Sequence, residues 1–140
     1  MDRRRRTEIL IKGSEALAYK LAKEIEEKYQ IRGIEGPHNG LVMVKMREGA
    51  KNSLFYLGEV LVTEAKVQVN GKLGIGIIRG DREALSYALA VIDAAYHADL
   101  EETKKWNQIL IEEEKKIYQQ RMQEQSKILM TKVSFDTMDV

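Results

Sequence analysis

The stretch TEAKVQVNGKLGIGII, residues 63–78, decides the fold. Apolar residues alternate on both sides of Asn70-Gly71, which is the period of β-strands joined by a tight hairpin. Two registers compete. A two-residue type I′ turn pairs Val67 with Gly74 and Lys66 with Ile75, so the two apolar sets fall on opposite faces. A three-residue loop, Val69-Asn70-Gly71, pairs Val67 with Leu73, Ala65 with Ile75 and Thr63 with Ile77, and sets Gly71 at the left-handed position of a bulge. Register decides which face is buried, so the sequence favours the three-residue loop. In that register Leu73, Ile75 and Ile77 enter the core, and Gly74 and Gly76 share the outer face with Lys66 and Gln68. Two glycines on one face leave bare backbone, either exposed or closely covered by another element.

Working outward, Leu41 to Arg47 alternates as a strand, with Leu41 and Met43 suggesting that its start is covered on both faces. Residues 47–53 read as a turn. Leu54–Leu57 and Val60–Val69 read as two strands separated by a bulge or bend at Gly58-Glu59. Upstream, residues 30–40 hold Gly33, Gly36, Gly40 and the single proline, Pro37, which predicts a loop. Before it, Leu17, Leu21, Ile25 and Tyr29 recur at helical spacing behind a Ser14 N-cap, and residues 2–12 form a first helix that Gly13-Ser14 ends. After the sheet, Asp81 is the expected N-cap of a helix to about Ala98, whose alanines permit close packing on a sheet. Strands and helices are segregated along the chain, so the fold class is α+β: a four-stranded antiparallel sheet packed by helices, with a long C-terminal helix and tail.

That last helix spans about 101–131. Between Tyr118 and Lys127 its one apolar residue is Met122, too little to bury it in its own core. The segmentation is therefore a helix–sheet–helix body at 1–100 and a helical arm with tail at 101–140, within one domain. Trp106, Tyr118, Met122, Val133, Phe135 and Met138 are the candidate partner-binding residues of the arm.

Composition excludes several chemistries. With no cysteine, there is no disulfide, thiolate zinc site, iron–sulfur cluster or thiol nucleophile. Two histidines, His38 and His97, do not make a multi-histidine metal site. The balance of 23 Lys+Arg against 22 Asp+Glu argues against a dedicated nucleic-acid binder. No apolar run approaches the ~20 residues of a membrane helix. The expectation is a soluble, cytoplasmic protein.

Few residues carry chemistry. Arg3 to Arg6 could meet phosphate groups, but a solvated or partner-facing surface is the plainer reading of such a run. Arg79, Gly80 and Arg82 flank a helix N-terminus, where an anion could bind in competition with Asp81. Gly74-x-Gly76-x-x-x-Gly80 lies inside an antiparallel strand with the wrong spacing for a dinucleotide fingerprint. His97 suits a helix C-terminus, and His38 has only Glu35 as a nearby carboxylate. No catalytic set and no metal-ligand spacing emerges.

An ordered set of short matches runs through the chain: Gly40-Leu41-Val42, Phe55-Tyr56-Leu57-Gly58-Glu59, Val62-Thr63-Glu64-Ala65, Asn70-Gly71-Lys72-Leu73-Gly74, Gly80-Asp81-Arg82, Ala90-x-Ile92-Asp93-Ala94 and Val133-x-Phe135-x-Thr137-Met138. With the arginine-rich start, this set resembles the PhnG family, the G subunit of the bacterial carbon–phosphorus lyase core complex. The segment 14–38 matches in helical pattern only, and the helix at 101–131 is richer in Glu, Lys and Gln than the resemblance would suggest. The resemblance implies a part in displacing adenine from ATP by an alkylphosphonate, giving a ribose 1-phosphonate 5-triphosphate. It also implies PhnI-, PhnH- and PhnJ-type partner subunits and a PhnL-type accessory protein. It carries no catalytic motif, metal or cofactor onto this chain, and ATP is implied as a substrate of the complex. The expected role is structural, as a scaffolding subunit of a transferase complex that is not catalytic alone. The alternative is a small nucleic-acid or anion-binding module using Arg3 to Arg6, and a third reading is a stand-alone enzyme using His38.

Overall fold

A computed structural model describes the backbone of residues 1–47 and 54–138, and the side chains of residues 1–45 and 57–131. The order of elements is α1 (Arg3–Lys12), α2 (Glu15–Lys28), β1 (Ile31–Arg47), β2 (Leu54–Val69), β3 (Lys72–Arg79), α3 (Glu83–His97) and α4 (Glu101–Met138). The α+β class stands, but the described residues form a three-stranded antiparallel sheet of order β1-β2-β3, not a four-stranded one. Leu54–Leu57 and Val60–Val69 are one strand. Val44 pairs with Gly58 and Lys45 with Tyr56, so Leu57 is the extra residue of a bulge that bends β2 without ending it. Of the turn expected at 47–53, residues 48–53 lie outside the described residues.

The Gly/Pro segment is also strand, not loop. β1 is an edge strand, and its register slips between Gly33 and Glu35 and again between Glu35 and His38. Pro37 falls within the second slip. An edge strand tolerates a missing N–H at such a point, which turn propensity alone does not reveal. Beyond Arg79 of β3, β1 and β2 continue as a two-stranded ribbon. Leu41, Val42, Met43 and Leu57 are exposed on it, so the double cover expected for Leu41 and Met43 is absent among the described residues.

The hairpin takes the two-residue turn. Val69 pairs with Lys72, Val67 with Gly74, Ala65 with Gly76 and Thr63 with Ile78, and Asn70 and Gly71 both have positive φ, at +50° and +76°. The expected three-residue register is therefore wrong, and the faces are reversed. Gly74 and Gly76 lie inward with Ala65 and Val67, while Leu73 and Ile77 are 42% and 47% exposed. The reason is α3. Its Ala88, Ala90, Ala94 and Ala95 are buried, and its backbone lies directly on the two glycines. A Cβ on Gly76 would come within 2.5 Å of the Ala90 nitrogen, and closer still to the Ser86 carbonyl oxygen. Apolar area was sacrificed on that face in favour of close helix–sheet approach, so counting apolar residues selects the wrong register.

α2 covers α3 with Ala18, Leu21, Ala22 and Ile25, and the start of α4 closes the core with Trp106 and Leu110, both fully buried. Side chains of this kind each stabilise by roughly 1.5–3 kcal/mol on burial. From Tyr118 to Thr131 every α4 residue is exposed. The helix continues through the expected tail to Met138, since no glycine or proline interrupts 101–138. At about 1.5 Å per residue, the exposed stretch 118–131 is roughly 20 Å long.

Two capping expectations are revised. Arg82, not Asp81, is the N-cap residue of α3, and it makes no side-chain cap. The Arg82 N–H donates instead to the Thr63 hydroxyl at 3.0 Å, which itself donates to the Gly80 carbonyl. Ser14 occupies the N-cap of α2 but also makes no side-chain cap, its N–H donating to Glu113. No helix among the described residues is long and apolar enough to cross a membrane.

Candidate functional site

The arginine run lies along α1, where residues three apart share a face and their neighbours do not. Asp2 caps the helix by accepting from the Arg5 N–H at 2.8 Å, which offsets part of the unfavourable placement of cations at a helix N-terminus. Arg5 turns toward α4 and grips Glu114 with two hydrogen bonds, from Nε at 2.9 Å and Nη2 at 2.6 Å. This guanidinium holds the Glu114 carboxyl below its ordinary range. Arg3 and Arg6 turn the other way, toward α3.

They meet Asp93. Its carboxylate is nearly fully buried and lies 3.1 Å from Arg6 Nη1 and 3.2 Å from Arg3 Nε. Its second oxygen accepts from the Ile75 N–H at 2.9 Å, at the free edge of β3. His97, one turn further along α3, places Nε2 3.8 Å from Asp93 and Nδ1 2.6 Å from the Leu73 carbonyl. A buried carboxylate needs such partners, since an isolated charge in a low-dielectric interior is very costly. The Arg6 guanidinium also stacks 4.2 Å above the Tyr96 ring. Tyr96 packs on Trp106 and donates to Asn107, and burial pushes its hydroxyl pKa up. Trp106 donates to Glu24 at 3.1 Å. One polar network thus joins all four helices and the edge of the sheet.

Between α1 and the β3 edge lies an open groove of about 650 Å³. Arg3, Arg4, Arg6 and Lys12 line it against two carboxylates, Glu8 and Asp93, and Leu10, Leu89 and Ile92 contribute apolar wall. Although Arg6 is only 5% exposed, its Nε–H has no hydrogen-bond acceptor among the described residues. Chemically, such a groove can hold an oxyanion. Among the described residues no group of three or more metal-ligating side chains is gathered.

The residues singled out in the sequence are scattered. Arg79 is exposed at the end of β3, Gly80 has φ +90° in the turn, and the Arg82 guanidinium pairs with Glu15 of α2. An anion at this helix start would have to displace Glu15. Tyr118 and Met122 are exposed on the arm, at 65% and 50%, whereas Trp106 is wholly enclosed by the chain's own core. The side chains of Val133, Phe135 and Met138 lie outside the described ones. His38 sits on β1 with Nδ1 3.0 Å from the Gly36 carbonyl and Nε2 3.9 Å from Glu35. Sequence reasoning missed the pairing of Arg6 with Asp93. The available signal was an acid beside the apolar stripe of α3, one turn after Leu89 and one residue after Ile92.

The sequence profile of the family described as phosphonate metabolism protein PhnG matches residues 1–139. A curated protein of Rhizobium meliloti (strain 1021), alpha-D-ribose 1-methylphosphonate 5-triphosphate synthase subunit PhnG, is 33% identical over 75 residues. That alignment covers 53% of this chain and spans about half, 48%, of the relative's length.

Proposed function

The chain belongs to the PhnG family of phosphonate metabolism proteins, and from that premise we propose that it is a scaffolding subunit of a ribose 1-phosphonate 5-triphosphate synthase complex. In this reading an oxygen of the intact alkylphosphonate forms a bond to ribose C1 of ATP, the C1–N bond to adenine breaks, and adenine leaves. The chemistry of this step resides on PhnI- and PhnH-type partners assisted by a PhnL-type protein, with a PhnJ-type partner in the same core complex. This chain positions them and carries neither cofactor nor catalytic residue of its own.

The observation that carries the reading is the apolar surface on two projecting elements. The second half of α4 exposes Tyr118, Met122, Ile128, Leu129 and Met130, the last three at 62–71%. The ribbon of β1 and β2 exposes Leu41 and Met43 at 65% and 54%. Large apolar side chains clustered on protruding elements fit partner surfaces better than solvent. The reading of Arg3 to Arg6 as a nucleic-acid contact has less support, because Arg6 is buried on Asp93 and Arg5 is held by Glu114.

Co-expression with an I-type subunit tests the proposal. The full chain is expected to co-purify with it, and truncation after Ser126 to weaken that association while leaving the thermal stability of the body within about 1 kcal/mol, since residues 127–131, the described side chains it removes, are all exposed. The isolated chain is expected to show no nucleosidase or transferase activity. Full activity of the isolated chain, or undiminished assembly of the truncated one, refutes it.

A further inference from the structure

We propose that the groove between α1 and the β3 edge is a binding site for an organic phosphate-class oxyanion, with Arg3, Arg4, Arg6 and Lys12 as its cationic wall. The argument rests on this chain alone and does not depend on its place in a complex. Four cations face two carboxylates there, and the two are already engaged: Asp93 is shared by Arg3 and Arg6, and Glu8 by Lys12. The groove is therefore cationic after its internal pairs are counted. Arg4 makes no ion pair among the described residues, and its charge is available to a ligand.

The second observation is independent of the charge count. Arg6 is 5% exposed, and its Nε–H is buried without an acceptor among the described residues. Leaving a buried charged donor unpaired is unfavourable by about 1–3 kcal/mol or more, so an orphan of this kind marks a place where an acceptor belongs. Guanidinium groups present planar forks of donors that match the oxygens of a phosphoryl group, and several of them can share its oxygens at once. The exposed apolar side chains of the wall are Ile11 of α1 and Ile77 of β3, at 38% and 47%, backed by the buried Leu10, Leu89 and Ile92. That surface favours an anion carrying an apolar substituent over inorganic phosphate. β-Strand addition at this edge is the weaker reading, because Asp93 already accepts the Ile75 N–H and His97 meets the Leu73 carbonyl.

The experiment is calorimetric titration of the full chain with butyl phosphate and with inorganic phosphate. Saturable binding is expected, tighter for butyl phosphate. The double variant Arg4→Ala/Lys12→Ala removes two exposed cations without opening the core, and is expected to weaken binding about tenfold or more. Arg5→Ala removes a cation of the same run that faces Glu114 instead, and is expected to leave binding within about twofold. No saturable binding, equal affinity for the two probes, or equal loss in the Arg5→Ala variant overturns the proposal. Co-purification of the Arg4→Ala/Lys12→Ala chain with an I-type subunit reports separately on the scaffolding role.

Discussion

Placing one methyl group on Gly76 tests the register of the hairpin, and with it the whole packing of the sheet. A Cβ there would lie 2.5 Å from the Ala90 nitrogen, about 0.9 Å short of ordinary contact, and would press harder still on the Ser86 carbonyl. Both neighbours are helix backbone, which cannot rotate away as a side chain can. α3 would have to lift from the sheet over its middle turns, loosening Val67, Leu89 and Ile92 together. Overpacking of a close-packed core costs about 1–3 kcal/mol, and more where backbone must move, so Gly76→Ala is expected to destabilise by about 3 kcal/mol. For a chain of this size that lowers the melting temperature by roughly 10 °C. Gly40→Ala is the control: nothing lies within 4 Å of its Cβ, and its stability should stay within about 0.5 kcal/mol of the parent. Leu73→Gln and Ile77→Gln, on the outer face, should each cost less than about 1 kcal/mol. Urea denaturation followed by circular dichroism measures all four. If Gly76→Ala is neutral while Leu73→Gln and Ile77→Gln each cost 2 kcal/mol or more, the three-residue loop is the true register and the packing described for α3 is refuted.

Two further outcomes are expected. Asp93→Asn removes the buried partner of Arg3 and Arg6 and leaves the Arg6 charge uncompensated, for a loss of about 3–5 kcal/mol in urea unfolding; a loss below about 1 kcal/mol would show that Asp93 does not anchor α1. Stability should also fall on acidification below about pH 5, because Glu102 and Glu114 are held below their ordinary 4.5 in the folded chain, the first by its own backbone N–H and then the Tyr29 hydroxyl, the second by Arg5. Their contribution is complete above the unfolded value and lost as pH drops through the folded one, since the unfolded chain binds the protons first. Unfolding midpoints measured between pH 7 and pH 3 check this, and a midpoint that rises on acidification would contradict it; Glu114→Gln should flatten part of the slope.

The candidate site was the least legible part of the sequence. Arg3 to Arg6 stood out as a run, but a run carries no information about which member turns inward. Arg6 and Asp93 are 87 residues apart, and nothing local to either signals the other. The groove exists because α1 returns across the edge of a strand that follows it by some 60 residues, so it is a product of tertiary arrangement. Pro37 and its neighbouring glycines misled for a related reason. Their local preference is for turns, and only the position of β1 at the sheet edge makes a strand with two register slips acceptable.

What the sequence determined by itself were the properties that repeat along the chain. Helical spacing located α2 and α3, period-2 alternation located β3, the second half of β1 and the residues of β2 (as two strands), and the scarcity of apolar residues between Tyr118 and Lys127 marked the exposed part of α4. The ordered short matches identified the family. Tertiary structure alone decided which face of the hairpin is inside, how many strands the sheet has, and which arginine is buried. The physical reason is common to these. Periodicity records which residues share a face, but the choice between two faces depends on what packs against them. Here a helix of small residues found its best contact on glycines, leaving Leu73 and Ile77 outside.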